Sequence, residues 1–393
     1  MSSGALSSLV DPAIMFFLVG VFAGAVRSNL EIPPQIAKFL SLYLLVALGF
    51  KGGQSLGDTG LDAEGLKVVG IALVLAALIP VLSFLVLRSR VEAFDAAAIA
   101  ATYGSVSAVT FIAATNFVAG QGEPAGGYTT VALVFMESPA IVMAVLLASW
   151  VRSRQNADAT ALVADSAGVA SSGVATGASA GIAAASGSDP DPPSPGPATV
   201  VESHATGETA LAREALSDGR APIDASGAEP LSVKAVLHEA FTDGAHLLLI
   251  GSLVVGFVVG DKGGEAMAPF TTGIFKGMLA FFLLEMGLLV TRQLRELRDV
   301  GPFLIGFGLL MPLCSASIAL ILGGIARLSV GDLTVLTVLA ASASYIVVPA
   351  VIRYAIPEAR PSRYFTMALA VTFPFNIVVG IPLYYAAAGF VAG

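Results

Sequence analysis

Two short stretches of the sequence place hydroxyl side chains beside residues that interrupt a helix. Residues 102–110 read TYGSVSAVT and contain Gly104, and residues 342–349 read SASYIVVP and contain Pro349. Glycine weakens a helix and proline removes one of its hydrogen bonds, so both stretches are predicted to leave backbone groups free. Free N–H groups at the start of a helix attract an anion, whereas hydroxyl and carbonyl oxygens bind a hard cation such as Na⁺.

We predict that the two stretches together form one small-anion site with a cation site beside it. The anion-binding candidates lie at the interruptions themselves: Gly104, Ser105, Val106, Ser107, Ser342, Ala343 and Ser344. The cation-binding candidates lie next to them or in nearby apolar segments: Thr110, Glu137, Tyr345 and Asn376. The alternative interpretation is that these small residues only allow helices to pack closely.

Ionisable residues inside apolar segments are costly in a membrane and are therefore candidates for function. Glu137 stands two residues before Pro139, and three roles are open for it: cation ligand, proton carrier or partner of buried hydroxyl groups. Glu285 is expected to face a cavity or an oligomer contact. Asp95 and Asp332 stand at the starts of their apolar segments, where we expect them to cap the helix N-termini.

The elements that must position these residues follow from the composition. Of the 393 residues, 56% are hydrophobic and only 12% are charged, and the mean hydropathy is +0.84. Such a chain cannot cover its surface with polar groups, which excludes a soluble enzyme, a nucleic-acid-binding protein and a disordered scaffold. There is no phosphate-binding loop for ATP, which argues against a primary pump, and there is no Cys/His metal spacing. No paired acid and base lie at plausible spacing, so we expect no enzyme activity and no cofactor other than Na⁺ as a coupling ion.

Ten apolar runs are long enough, or nearly so, to cross a bilayer as helices in contact with lipid. The first five lie near 12–26, 34–50, 66–87, 95–118 and 127–150, and the second five near 244–260, 269–290, 301–326, 332–355 and 364–388. The sequence therefore predicts an all-α membrane protein of about ten transmembrane helices.

A polar segment separates the two groups of runs. Residues 152–232 are rich in Ala, Ser, Gly and Pro and carry ten acidic and four basic residues, a composition typical of disorder. The chain thus divides into a membrane repeat 1–151, a disordered acidic loop 152–232 and a second membrane repeat 233–393. Arg and Lys near the helix ends favour one side by twelve to four, which places both termini outside and the loop in the cytoplasm.

The two groups of runs are internal repeats. Asp95, Ser105 and Ser107 recur 237 positions later as Asp332, Ser342 and Ser344. Five helices per repeat is an odd number, so the halves must have opposite orientations in the membrane. We predict a 5+5 inverted-topology repeat with two broken helices at the midplane, which is a transporter architecture.

These residues resemble those of the SbtA-type sodium-dependent bicarbonate transporters. The resemblance covers nearly the whole membrane part and rests on the stretch from Leu44 to Leu56 and on four further motifs: GSVS at 104–107, FMESP at 135–139, ASAS at 341–344 and GIPL at 380–383. It implies a permease of the bacterial inner membrane that imports bicarbonate with Na⁺ by alternating access. It also implies a homotrimer, an elevator movement of a core domain against a gate domain, and a PII-like cytoplasmic regulator in some members.

The sequence departs from the family pattern in the second stretch and the tenth run. Tyr345 stands where the family has Asp, Val347 and Val348 replace Ser-Gly, and Asn376 replaces a small or hydroxyl residue. Two other functions therefore stay open. One is transport of another small monovalent anion or carboxylate with Na⁺ or H⁺, in which Glu137 would carry the proton. The other is a membrane sensor that does not transport and that signals through the 152–232 loop.

Overall fold

The computed structural model describes residues 11–60, 62–172, 244–345 and 347–392, and these ranges contain helices but no strand. Two compact units are distinguished, one containing residues 1–149 and 207–393, the other residues 150–206. The described part of the second unit is helical as far as Ser172. Residues 152–172 are the beginning of the segment predicted to be disordered, and they are helical here. Their Ala-rich composition has high helix propensity, which accounts for the difference. Residues 173–232 lie outside the described residues.

The helices are numbered α1 to α12 in chain order. They span Pro12–Ala25 (α1), Pro34–Thr59 (α2), Ala63–Leu87 (α3), Ala93–Gly104 (α4), Ala108–Gly120 (α5), Tyr128–Ser172 (α6), Gly244–Ala268 (α7), Phe275–Gln293 (α8), Pro302–Ala326 (α9), Val330–Ala341 (α10), Val347–Ala355 (α11) and Pro361–Ala392 (α12). Proline occupies the first position of α1, α2, α9 and α12, where its missing N–H has no helical partner to lose.

All ten apolar runs are helical over most of their length in the described ranges, and the fourth and ninth runs are each interrupted. Six segments are long and apolar enough to cross a membrane by length and composition: Pro34–Asp58, Ala63–Leu87, Ala93–Gly120, Leu247–Arg298, Pro302–Ala326 and Pro361–Ala392. The number is smaller than ten because the sixth and seventh runs fall within one segment, while α1, α10 and the described apolar part of α6 are shorter than a span. Ten spans stay a prediction.

Two pairs of helices cross at glycines. Helix α1 packs along α8, and α2 packs along α7. A Cβ atom on Gly20 would lie 3.1 Å from the Cα atom of Gly287, and one on Gly49 would lie 2.6 Å from the carbonyl oxygen of Leu249. Only glycine permits these backbones to approach so closely, as in other membrane helix pairs.

Asp95 is not a helix cap. It is the third residue of α4, whose N-cap is Glu92, and it is only 2% exposed. Its carboxylate accepts hydrogen bonds from the Arg360 N–H at 2.7 Å and from Arg363 Nη1, also at 2.7 Å. The predicted capping role is therefore wrong, because the side chain is directed at the start of α12 rather than at its own helix.

Asp332 departs from the predicted capping role in the same way. It is the third residue of α10, whose N-cap is Ser329. Its carboxylate accepts from the Gly126 N–H at 2.7 Å, the Tyr128 hydroxyl at 2.6 Å and the Ser329 hydroxyl at 2.6 Å. These contacts join the start of α10 to the start of α6.

Candidate functional site

The two predicted stretches are interruptions between helices. Helix α4 ends at Gly104 and α5 begins at Ala108, and Ser105 and Ser107 between them have extended backbones. Helix α10 ends at Ala341 and α11 begins at Val347, with Ser342 likewise extended. Gly104 is required sterically, because a Cβ there would lie 2.6 Å from Cγ of Pro80 on α3.

Pro349 does not cause the second interruption, although the sequence suggested it. It is the third residue of α11, where a helix leaves N–H groups without partners in any case. Proline is therefore compatible with the start of α11. The chain leaves helical geometry several residues earlier, at Ser342.

The two interruptions are hydrogen-bonded to each other. The N–H of Ser107 donates to Oγ of Ser342 at 3.0 Å, and the N–H of Ser344 donates to the carbonyl oxygen of Thr102 at 3.0 Å. These residues are more than 230 positions apart in the sequence, and all are buried. The structure thus joins the two segments that carry the seven anion-binding candidates.

Each interruption starts its next helix with a serine cap. Oγ of Ser107 accepts from the Thr110 N–H at 3.2 Å, and Oγ of Ser344 accepts from the Val348 N–H at 3.4 Å. In contrast, Oγ of Ser105 and Oγ1 of Thr110 are buried and have no hydrogen-bond partner within the described part of the chain. A buried hydroxyl without a partner is rare in proteins, and these two oxygens fit the preference of Na⁺ for oxygen ligands.

A cavity of about 70 Å³ lies beside the interruptions. A buried water needs roughly 10–15 Å³, so the cavity can hold a few atoms of solvent or of a small solute. Ser107, Ser344 and Tyr345 line it from the interruptions, Glu137 from α6 and Ser41 from α2. The remaining walls are mainly apolar, so the few polar groups determine what can bind there.

Tyr345 connects this cavity to the helices on its other side. Its hydroxyl donates to Sδ of Met286 on α8 at 3.7 Å. Its ring packs edge to face with Phe373, with centroids 5.4 Å apart, and Phe373 packs in the same way with Phe17 on α1. The phenol therefore contacts α8 and α12, and its hydroxyl also forms a side-chain hydrogen bond with Ser107 of the first interruption.

Glu137 and Asn376, the two predicted cation ligands on other helices, have different surroundings. Glu137 is 9% exposed and faces the cavity. Asn376 is completely buried, donates from Nδ2 to the carbonyl oxygen of Ala341 at 2.8 Å, and accepts at Oδ1 from the Tyr384 hydroxyl at 3.1 Å. Asn376 thus binds the end of α10.

The sequence analysis missed one polar link at this site. The hydroxyls of Tyr103 and Thr372 are 2.6 Å apart, and Thr372 donates to the carbonyl oxygen of Gly308 at 2.8 Å. Tyr103 lies inside the first predicted stretch, and this position was the sequence feature that could have identified it as part of the site. This link joins α4, α9 and α12 next to the first interruption.

Apolar helices of membrane-spanning length define a multi-pass membrane protein, and the cavity beside the interruptions is small and mainly apolar with a few polar groups. The family model of the Na⁺-dependent bicarbonate transporter superfamily matches residues 12–389, nearly the whole chain, and the chain belongs to that family. The resemblance recognised in the sequence is confirmed. A search of curated proteins gives no match.

The family indicates Na⁺ as the coupling ion and bicarbonate as the cargo. Among the described residues no group of three or more His, Cys, Asp or Glu side chains could hold a metal ion. Hydroxyl and carbonyl groups are the other oxygen ligands that Na⁺ can use, and at the first interruption Ser105 and Thr110 have hydroxyls without a partner in the described part of the chain.

Proposed function

We propose that this chain is a secondary active transporter that imports bicarbonate together with Na⁺ by alternating access. The observation that carries the proposal is the pair of interruptions, which are hydrogen-bonded to each other beside a small cavity. Two helices, α5 and α11, begin there, so two sets of N–H groups and two helix dipoles favour one negative charge. Family membership supplies the identity of the ions.

The residues divide into two roles. The N–H groups at the starts of α5 and α11, with the hydroxyls of Ser107 and Ser344, would hold the anion. The free oxygens of Ser105 and Thr110 would hold Na⁺, with Glu137 contributing negative charge across the cavity. Binding the two ions together reduces the net charge that must cross the apolar interior, where an isolated charge is very unfavourable.

The packing supports a 5+5 inverted repeat. In such a repeat α1 and α2 correspond to α7 and α8, so the α1–α8 crossing and the α7–α2 crossing are the same contact in opposite halves. Both crossings use glycine. Asp95 and Asp332 likewise correspond, and each binds the start of the last helix in the other half. The interruptions would then be two broken helices near the midplane.

The remaining parts of the proposal concern the assembly and the membrane. We place the protein in the bacterial inner membrane with both termini outside and loop 152–232 in the cytoplasm, because Arg and Lys favour that side. Helices α1, α2, α7 and α8 pack with one another and would form the gate against which the rest moves as an elevator. A homotrimer and a PII-like regulator of the cytoplasmic face complete the proposal.

A second candidate function keeps the fold and changes the ions. Tyr345 supplies no carboxylate where the family pattern has one, while Glu137 faces the cavity. This favours transport of another small monovalent anion or carboxylate, with a proton carried on Glu137. Uptake that follows a pH gradient rather than a Na⁺ gradient would support it. A sensor that binds the anion without flux is the remaining alternative.

Substitutions at the cavity test the site. We expect Ser107→Leu and Ser344→Leu to abolish bicarbonate uptake, because each side chain would fill the cavity and remove a helix cap. Ser317→Leu is the matched control, since Ser317 is exposed on α9 away from the cavity. Uptake is measured with radiolabelled bicarbonate at equal surface expression. Wild-type uptake in both cavity variants would contradict the proposed site.

A further inference from the structure

The last helix, α12, departs from regular α-helical geometry beside the second interruption. Residues Met367–Thr372 and Asn376–Gly380 are π-helical. A π turn contains an extra residue, so it changes the face on which the following side chains lie, and such turns are frequent at functional sites. Asn376 stands at the start of the second π segment and is completely buried.

The amide of Asn376 binds a carbonyl that would otherwise be free. Ala341 is the last residue of α10, and the carbonyls at a helix end have no partner within the helix. Nδ2 of Asn376 donates to this oxygen at 2.8 Å, and its Oδ1 accepts from the Tyr384 hydroxyl at 3.1 Å. A Cβ on Gly380 would lie 2.6 Å from Oδ1, so glycine leaves the space that the amide occupies.

The first interruption has a different set of oxygens. Oγ of Ser105 and Oγ1 of Thr110 have no partner in the described ranges. The repeat offset of 237 places Ser342 and Val347 at the corresponding positions. Ser342 both accepts from the Ser107 N–H and donates to the Leu339 carbonyl at 2.8 Å, and valine has no side-chain oxygen. The first interruption therefore has two free hydroxyl oxygens for a cation, whereas Ser342 and Val347 at the corresponding positions of the second interruption offer none.

We infer that the Asn376 amide takes the place of a second cation, so that the protein carries one Na⁺ for each bicarbonate. The inference rests on the proposed function. A carbonyl oxygen at a broken helix can be satisfied by a bound cation or by an N–H donor. Asn376 provides the donor permanently. Among the described residues of the two interruptions, the free side-chain oxygens are then those of Ser105 and Thr110, which form the cation site. One Na⁺ and one bicarbonate have a net charge of zero.

Charge balance gives a measurable difference. With one Na⁺ per bicarbonate, the membrane potential does not drive uptake. With two Na⁺, one net charge moves in each cycle, and a potential of 100 mV contributes about 2.3 kcal/mol. That energy corresponds to roughly a 50-fold change in the accumulation ratio of bicarbonate. The two stoichiometries are therefore readily distinguished.

The test uses the purified full-length protein in proteoliposomes with ²²Na⁺ and ¹⁴C-bicarbonate. We expect a flux ratio of one and uptake that does not change when valinomycin and a K⁺ gradient set the potential. A ratio of two, or uptake that increases with an inside-negative potential, would overturn the inference while leaving the proposed function intact. Absence of bicarbonate flux in any salt would instead overturn the proposed function, and the inference with it.

Asn376→Asp adds a gain-of-function test. The carboxylate has nearly the same shape as the amide but places an acceptor opposite the Ala341 carbonyl, so we expect it to recruit a second Na⁺. The flux ratio should rise to two and uptake should become sensitive to the potential. Tyr384→Phe is the matched control, because it keeps the amide–carbonyl bond and should keep the ratio at one. A folded Asn376→Asp variant with a Na⁺-to-bicarbonate flux ratio of one would contradict the inference. If the variant does not fold, the flux ratio of the wild-type protein decides.

Discussion

The hydrogen bond between Tyr128 and Asp332 gives a quantitative test of how the second interruption is positioned. Asp332 is 3% exposed, and its Oδ2 accepts from the Tyr128 hydroxyl at 2.6 Å. Hydrogen bonds to charged groups contribute about 1.5–3 kcal/mol in soluble proteins, whereas interhelical hydrogen bonds in membrane proteins average about 0.6 kcal/mol with a maximum near 1.7. The short distance and the burial place this pair near the upper value.

We therefore predict a coupling free energy of about 1.5 kcal/mol between these two residues. The assay is a double-mutant cycle with Tyr128→Phe, Asp332→Ala and the double variant, in which the free energy of unfolding is measured by SDS titration in mixed micelles. Asp332→Ala alone should cost about 2–5 kcal/mol, because it leaves two or three hydrogen-bond donors without their acceptor.

The control cycle pairs Tyr128→Phe with Thr334→Val. Thr334 is buried on the same helix, and its hydroxyl donates to the Val330 carbonyl at 2.7 Å, so its coupling to Tyr128 should be near zero. A coupling below about 0.5 kcal/mol in the Asp332 cycle would refute the reasoning, since it would mean that this contact does not hold α6 against α10.

Three further predictions concern the interruptions. Gly104→Ala should destabilise the protein by about 1–3 kcal/mol and reduce uptake, because the added Cβ would lie 2.6 Å from the Pro80 ring. Gly120→Ala is the control and should be neutral, because nothing lies within 4 Å of a Cβ there. Thermal denaturation and uptake measurements check both variants. Thr110→Val should leave the melting temperature unchanged, because the Thr110 hydroxyl has no partner among the described residues. It should raise the half-saturating Na⁺ concentration for uptake about tenfold, because the loss of one Na⁺ ligand worth about 1.4 kcal/mol corresponds to that factor. Tyr345→Phe should change the half-saturating Na⁺ concentration less than about twofold, since the hydroxyl contacts the Met286 sulfur and the Ser107 side chain, which we assign to the anion rather than to Na⁺. A tenfold change would make the phenol a Na⁺ ligand.

The helices and the two helix interruptions could be predicted from the sequence because their signals are local or repeated. An apolar run in a bilayer must satisfy its backbone groups internally, which favours helix, and all ten runs are helical over most of their length. Ser105 and Ser342 were found because the repeat places hydroxyls at matching positions. The hydrogen bond between Ser107 and Ser342 then shows that the two stretches meet.

The remaining features depend on contacts between distant segments, which no sequence window contains. Asp95 and Asp332 have the sequence context of helix caps, but tertiary partners determine their role. Asn376 was predicted to be a cation-binding residue, and that role stays a prediction. The contact of its amide with the Ala341 carbonyl could not be foreseen, because Asn376 begins a π-helical segment that residue spacing at 3.6 per turn does not indicate.

The most direct test of the account is bicarbonate uptake in cells that lack their own bicarbonate transporters. Radiolabelled bicarbonate is supplied first with Na⁺ and then with K⁺ in its place at the same pH. The account predicts accumulation with Na⁺ and background uptake with K⁺, and a loss of the Na⁺-dependent part in Ser344→Leu. Equal accumulation in both salts, or no uptake in either, would contradict it.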